Sequence, residues 1–314
     1  IMYSSGTTGL PKSIVHSTGG TLIQHLKELK LHVDLNRDDT IFYFTTCGWM
    51  MWNWLVSSLA TGATVVLYDG SPLHPDSSAM WKLAQDLKIT IFGTSAKFIT
   101  ASEAAGERPK QKFDLSKLRS ILSTGSPLVD EGFDYVYRDV KDDVLLASIS
   151  GGTDLISCFA LGNPTLPVHR GELQCRGLGM AVESFDTNGQ NQLNQKGELV
   201  CTHAFPSMPI YFWNDPDGEK YYNAYFSVFS NVWCHGDYIT INEHGGVKIF
   251  GRSDTTLNPG GVRIGTAEIY RVAENIDEIK DSLVVGQEWH DDERVILFVQ
   301  LAENIELTNE SISK

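Results

Sequence analysis

Tyr3-Ser4-Ser5-Gly6-Thr7-Thr8-Gly9-Leu10-Pro11-Lys12 is rich in hydroxyls and glycine and ends in a lysine. Glycines let backbone N–H groups approach a ligand with no Cβ in the way. Successive N–H groups then form an anion-binding concavity. Ser4, Ser5, Thr7 and Thr8 add side-chain donors, and Lys12 adds a charge. The combination suits a grip on the β- and γ-phosphates of a nucleotide. The kinase-type phosphate loop places Gly and Lys side by side, followed by Ser or Thr. Here Pro11 separates the last glycines from Lys12, so that motif is excluded. A Gly/Ser surface turn has a similar composition, and the choice between the two depends on the rest of the chain.

Outward from this stretch, helical and strand patterns alternate to about residue 150. Leu22, Ile23, Leu26 and Leu29 recur at helical spacing. Residues 41–44, 64–68, 89–92, 119–123 and 144–147 read as short apolar strands. Residues 49–59 read as a buried helix, and Ser77 as the cap of another. Strands alternating with helices predict an α/β domain with a mainly parallel sheet. Ligands in such sheets bind beyond the carboxyl ends of the strands.

From about Pro164 short alternating stretches separated by Gly, Asn and Asp take over. Residues 238–241 and 247–250 flank Glu243-His244-Gly245-Gly246, a predicted hairpin. The expected divisions are an α/β subdomain carrying the opening loop (1–163), a β-rich barrel-like subdomain (164–250), and part of a small α+β domain (251–314).

The 314 residues are 42% hydrophobic and 20% charged, a globular composition. A formal net charge of −14 argues against a nucleic-acid partner. Any anionic ligand must therefore be held by a local positive site. The cysteines (Cys47, Cys158, Cys175, Cys201, Cys234) form no C-x-x-C pair, so buried reduced thiols in a cytosolic setting are expected. No apolar run approaches a membrane span. The chain starts at Ile1-Met2-Tyr3, inside what reads as a buried strand. It is expected to be a piece of a longer protein.

Four more segments matter. Ser123-Thr124-Gly125-Ser126-Pro127 and Ser150-Gly151-Gly152-Thr153-Asp154 each follow a strand; Trp233-Cys234-His235-Gly236-Asp237-Tyr238 and Gly251-Arg252-Ser253-Asp254, with Gly260-Gly261-Val262-Arg263-Ile264, come later. With the opening stretch, in this order, they resemble the motifs of the adenylate-forming acyl-CoA synthetases, and the chain is identified as a member of that family. The resemblance implies roles by position. Thr7, Thr8 and Lys12 would hold the pyrophosphate part of ATP, and Gly125, Ser126 and Pro127 would lie against adenine. Thr153 would contact the α-phosphate. Asp154, where Glu is more usual, would bind Mg²⁺. Asp237 would accept from the ribose hydroxyls, Arg252 would contact ribose or phosphate, and Arg263 would approach the phosphate. Gly261 would line the passage for the coenzyme A thiol, and Asp254 would be the hinge.

Within Cys47-Gly48-Trp49-Met50-Met51-Trp52-Asn53-Trp54, the resemblance puts Trp49, Met50 and Met51 beside the acyl group. At least one of Trp52 and Trp54 is expected in the core. Gly151 stands where acetyl-specific relatives carry a tryptophan, which should admit a longer acid. The combination resembles the acetoacetate-activating group of the acetate branch, with ATP, Mg²⁺ and coenzyme A taking part. Two other readings are a different short-chain acyl-CoA ligase and a truncated, non-catalytic nucleotide-binding isoform. Family members also carry a long segment before the phosphate loop and a lysine in a Ser-Gly-Lys-type motif near their end. Lys314 is not in that context. The chain alone is therefore expected to have little or no activity and to expose apolar faces.

Overall fold

The computed structural model describes residues 1–6, 9–253, 256–257, 264–276, 278–289, 292–302 and 305. It opens on antiparallel strands β1 (Met2–Gly6) and β2 (Gly9–Val15). Helix α1 (Thr18–Lys27) follows, capped by Ser17, whose hydroxyl accepts from the Gly20 N–H at 3.0 Å. Next come β3 (Thr40–Tyr43), α2 (Met50–Ser57), β4 (Thr64–Val66), β5 (Ile91–Ser95), β6 (Ser120–Thr124) and β7 (Leu145–Ser148). These strands form a parallel sheet in the order β4-β3-β5-β6-β7.

Alternate residues of a strand face opposite sides, and here both sides are covered. Phe42, Phe92, Ile121 and Leu146 enter one core cluster with Trp81, Phe98 and Phe133. Ile41, Ile91, Leu122 and Ala147 enter another with Leu29, Met51 and Trp54. Burial on both faces is why these strands read as continuous apolar runs and not as alternation.

Past β7 the pairing turns antiparallel. Strands β8 (Ser150–Gly152), β9 (Ser157–Leu161) and β10 (Cys175–Arg176) form one small sheet. Strands β11 (Val182–Phe185), β12 (Gly197–Cys201), β14 (Trp233–Ile241) and β15 (Val247–Arg252) form another in that order, while β13 (Tyr211–Phe212) joins β2. Ile14, Phe159, Tyr225 and Trp233 belong to a third core cluster. Helix Thr266–Glu274 and the antiparallel strands Ile279–Trp289 and Asp292–Leu301 come last. No described helix is long and apolar enough to cross a membrane.

Four expectations need correction. Tyr3, read as part of a buried strand, is 68% exposed, because the register puts Met2, Ile14 and Phe212 on the core side of the β1-β2-β13 sheet. Of the apolar residues that mark the first helix, Leu29 is packed in the core but Leu22 and Ile23 are exposed, while Gln24, His25 and Glu28 are buried, so the packed face is largely polar. Ser77 does not cap: its hydroxyl donates to Glu107, and Ser78 holds the N-cap position of helix Ala79–Asp86. All five cysteines are free, but Cys47 is exposed and Cys175 only half-buried.

Candidate active site

A cavity of about 310 Å³ opens beyond the carboxyl ends of β6 and β7. These strands are neighbours, so the segments leaving them meet, and the Thr124 hydroxyl donates to the Ile149 carbonyl at 2.8 Å. Gly125 turns the chain with φ +94°, a conformation that side chains disfavour. It leads Ser126 and Pro127 onto the cavity wall. Helix α2 starts at the rim: Trp49 is its N-cap residue, and Met50 and Met51 line the cavity with it. Trp54 is the core tryptophan of this run, edge-on to Tyr43 at 6.0 Å, while Trp52 is only half-buried.

Gly151 and Thr153 line the cavity from β8 and the turn after it. Gly151 has a packing reason of its own. A Cβ there would lie 2.0 Å from the Ser157 carbonyl oxygen and 2.5 Å from the Cys158 Cα, both on β9. Any side chain at 151 would force the two strands apart, so strand pairing alone calls for a glycine here.

The end of the cavity nearest α1 carries a buried polar network. Glu28 is fully buried and lines the cavity. Its Oε1 accepts from Gln24 Nε2 at 3.0 Å, from Lys27 Nζ at 3.4 Å and from the Ser157 hydroxyl; its Oε2 accepts from Trp54 Nε1 at 2.9 Å. Buried polar groups persist only when hydrogen-bonded, and here the donors come from three elements: Gln24 and Lys27 from α1, Trp54 from α2 and Ser157 from β9. Burial pushes the neighbouring Cys158 thiol well up, and the Glu28 charge adds to it. His25 belongs to the same face of α1: its Nε2–H donates to the Ile156 carbonyl at 2.5 Å, and burial holds the imidazole below its ordinary range.

A second group, beside the cavity and on its wall, is built from charges. Lys12, on β2, reaches Asp154 at 2.7 Å, and the Tyr225 hydroxyl donates to the same carboxylate oxygen. Tyr225 stacks on Trp233 with centroids 3.7 Å apart. Burial pushes the Asp154 carboxyl up, but Lys12, His235 and the bonds from Lys12 and Tyr225 outweigh it and hold the group below the usual carboxylate range. Burial, then the Asp154 charge, pushes the Tyr225 hydroxyl far above its ordinary value. Asp237 and Arg252 are register partners across β14 and β15, so the pairing sets them side by side at 3.6 Å. His235 stands 3.7 Å from Asp237, and its buried Nδ1 has no hydrogen-bond partner among the described residues. Burial lowers its pKa despite Asp237 and Asp154.

One cavity thus brings together Trp49, Met50, Met51, Gly125, Ser126, Pro127, Gly151, Thr153, Asp237 and Arg252. Lys12 and Asp154 do not line it; they pair with each other beside it. Thr7, Thr8, Asp254, Gly261, Arg263 and Lys314 lie outside the described residues. Sequence reasoning missed Glu28, Ser157, Tyr225 and His235. His235 sat inside a quoted motif. Gln24, Glu28 and His32, four apart, were a signal of one polar helix face, but such a stripe ordinarily faces water.

A family model described as AMP-binding enzyme matches residues 1–211. The chain belongs to the AMP-binding enzyme family. Its relatives include the acetoacetyl-coenzyme A synthetase of Rhizobium meliloti (strain 1021), 60% identical over 98% of this chain and 47% of the relative. The acetoacetyl-CoA synthetase of Danio rerio is 55% identical over 100% of this chain and 47% of the relative. The solved structure of the acetoacetyl-CoA synthetase from Streptomyces lividans superposes with a TM-score of 0.92 at 49% identity, over 99% of this chain and 48% of that one. The chain spans about half the length of these AMP-binding relatives. The likeness covers the α/β sheet and the antiparallel sheets alike, as expected for an adenylate-forming acyl-CoA synthetase fold.

Proposed function

We propose that this chain carries the nucleotide and acyl sites of an AMP-forming acetoacetate–CoA ligase. The reading is supported by the relatives' names at 55–60% identity. The observation that carries it is a single cavity lined by Gly125, Ser126, Pro127, Asp237 and Arg252 together with Trp49, Met50, Met51, Glu28 and Ser157.

The acid's carboxylate attacks the α-phosphorus of ATP and diphosphate leaves, giving an acyl-adenylate; the coenzyme A thiol then attacks the acyl carbon and AMP leaves. Charge builds on phosphate oxygens in the first step, so fixed donors aimed there lower the barrier. Thr153 would donate to the α-phosphate. Lys12, with Thr7 and Thr8, would hold the β- and γ-phosphates, exchanging Asp154 for phosphate oxygen. Arg263 would approach the phosphate as well. Asp237 would accept from the ribose hydroxyls beside Arg252, and Gly125, Ser126 and Pro127 would lie along adenine. Trp49, Met50, Met51 and Gly151 would surround the acid. Gly261 would line the thiol's approach, and Asp254 would be the hinge of a closing domain, with the divisions at 163/164 and 250/251.

Asp154 would hold Mg²⁺. A carboxylate kept charged next to the phosphate grip fits an ion that takes most of its ligands from phosphate and water. Among the described residues no cluster of His, Cys, Asp and Glu could hold a metal by itself. When bound, the ion neutralises phosphate charge. The proposed setting is the cytosol.

The test is product analysis with the natural full-length chain, ATP, coenzyme A and single acids. The expected result is acetoacetyl-CoA, AMP and diphosphate in equal amounts, with acetoacetate preferred over acetate and butanoate. Equal or better use of acetate would contradict the reading.

A further inference from the structure

The buried network contains a hydroxyl whose proton can change partner without orphaning another group. Ser157 is 1% exposed and lines the cavity. Its Oγ accepts from Gln24 Nε2 at 2.9 Å and donates to Glu28 Oε1. An ionised carboxylate accepts at about four sites. If Ser157 turned its proton away, Glu28 would keep Gln24, Lys27 and Trp54 as donors. The bond from Gln24 would hold the serine oxygen in place meanwhile.

Position favours the same role. Ser157 is the register partner of Gly152, the residue before Thr153, across β8 and β9. Antiparallel partners lie roughly 4.5–5.5 Å apart at Cα. An acid whose carboxylate is at Thr153 therefore brings atoms a few bonds along its chain close to Ser157. A saturated alkyl chain offers no acceptor there, whereas a carbonyl on its third carbon does.

We infer that Ser157 is the specificity-determining donor for a 3-oxo acid: its O–H turns from Glu28 to the substrate's ketone oxygen, while Gln24 and Glu28 position it. This rests on the reading of the cavity as an acyl pocket.

The test compares acetoacetate with butanoate, equal in carbon number, in the natural full-length chain and its Ser157→Ala variant, with thermal melts alongside. One neutral hydrogen bond lost corresponds to a fall of about tenfold in kcat/KM. The expected result is that fall for acetoacetate with butanoate changed by less than about twofold, so that the ratio between the acids collapses. Equal losses with both acids, or no loss, overturn the inference. Should Ser157→Ala not fold, Ser157→Cys, a small weak donor, must lower the same ratio; an unchanged ratio overturns the inference. If the unmodified protein does not activate acetoacetate, the functional reading fails and this inference fails with it; a wild-type preference that survives in the variants sinks the inference alone.

Discussion

Two groups of residues in and beside the cavity are held by opposite means. At the proposed acyl end, Gln24, Glu28, Ser157 and Trp54 are almost fully buried, and their bonds tie α1 to α2 and β9. At the proposed nucleotide end, Lys12, Asp154, Asp237 and Arg252 keep 13–42% of their side chains exposed, and the pairs made by Asp237 are 3.6 and 3.7 Å long. The first arrangement is a network inside the core centred on the Glu28 carboxylate, whose removal would strand its donors. The second is a set of charges that can exchange one partner for another. A site that selects one small acid needs a fixed wall; a site through which phosphates pass needs partners that let go.

The largest effect expected from this contrast is at Glu28. Glu28→Ala leaves buried donors on Gln24, Trp54, Ser157 and Lys27 without their acceptor and should destabilise by about 3–5 kcal/mol, read from denaturant midpoints. A loss under about 1 kcal/mol would put both ends in the same class and end the comparison.

Gly151→Ala comes next. Its Cβ would meet backbone atoms of β9, which cannot swing aside. The cost should be about 1–3 kcal/mol in the same measurement. Because the glycine serves strand pairing, Gly151→Trp cannot by itself report on acid size.

Buried histidines sharpen the contrast through pH. His25 is held below its ordinary pKa by burial, so the unfolded chain binds more protons as pH falls below about 6.5. Stability is then present above that value and declines below it, by up to about 1.4 kcal/mol per pH unit for one group. His25→Gln should flatten part of that slope in melts taken from pH 7 to 5; an unchanged slope would contradict the assignment.

The smallest effect is at Lys12. Lys12→Met should cost at most about 1 kcal/mol at neutral pH. Asp154 is depressed below its ordinary range, a contribution present above that range and lost as pH falls through the folded value. Without Lys12 that contribution shrinks. The gap between variant and wild type should therefore close in acid, and a gap that widens would refute the pairing.

The same contrast explains what was legible beforehand. The proposed nucleotide end is written in short motifs at strand ends, so local reading singles out Gly125-Ser126-Pro127 and Thr153, which the structure brings to one cavity. The parallel sheet was legible because its strands, buried on both faces, stand out as apolar runs. The proposed acyl end depends on contacts that local reading cannot see, such as that between Glu28 and Ser157, more than a hundred positions apart. It also inverts the usual rule for helices, with polar Gln24, His25 and Glu28 inside and Leu22 and Ile23 outside. Periodicity identifies the helix but cannot tell which face is packed when the packed face is polar.

The most direct test of the central claim is a thermal-shift titration of the natural full-length chain with non-hydrolysable acyl-adenylate analogues, acetoacetyl against acetyl and butanoyl. A ligand at about 100 times its Kd should stabilise the folded state by roughly 2.7 kcal/mol. The account predicts that the acetoacetyl analogue reaches this shift at a concentration at least about tenfold below the other two. A cooperative melt raised equally by all three, or by none, would contradict it.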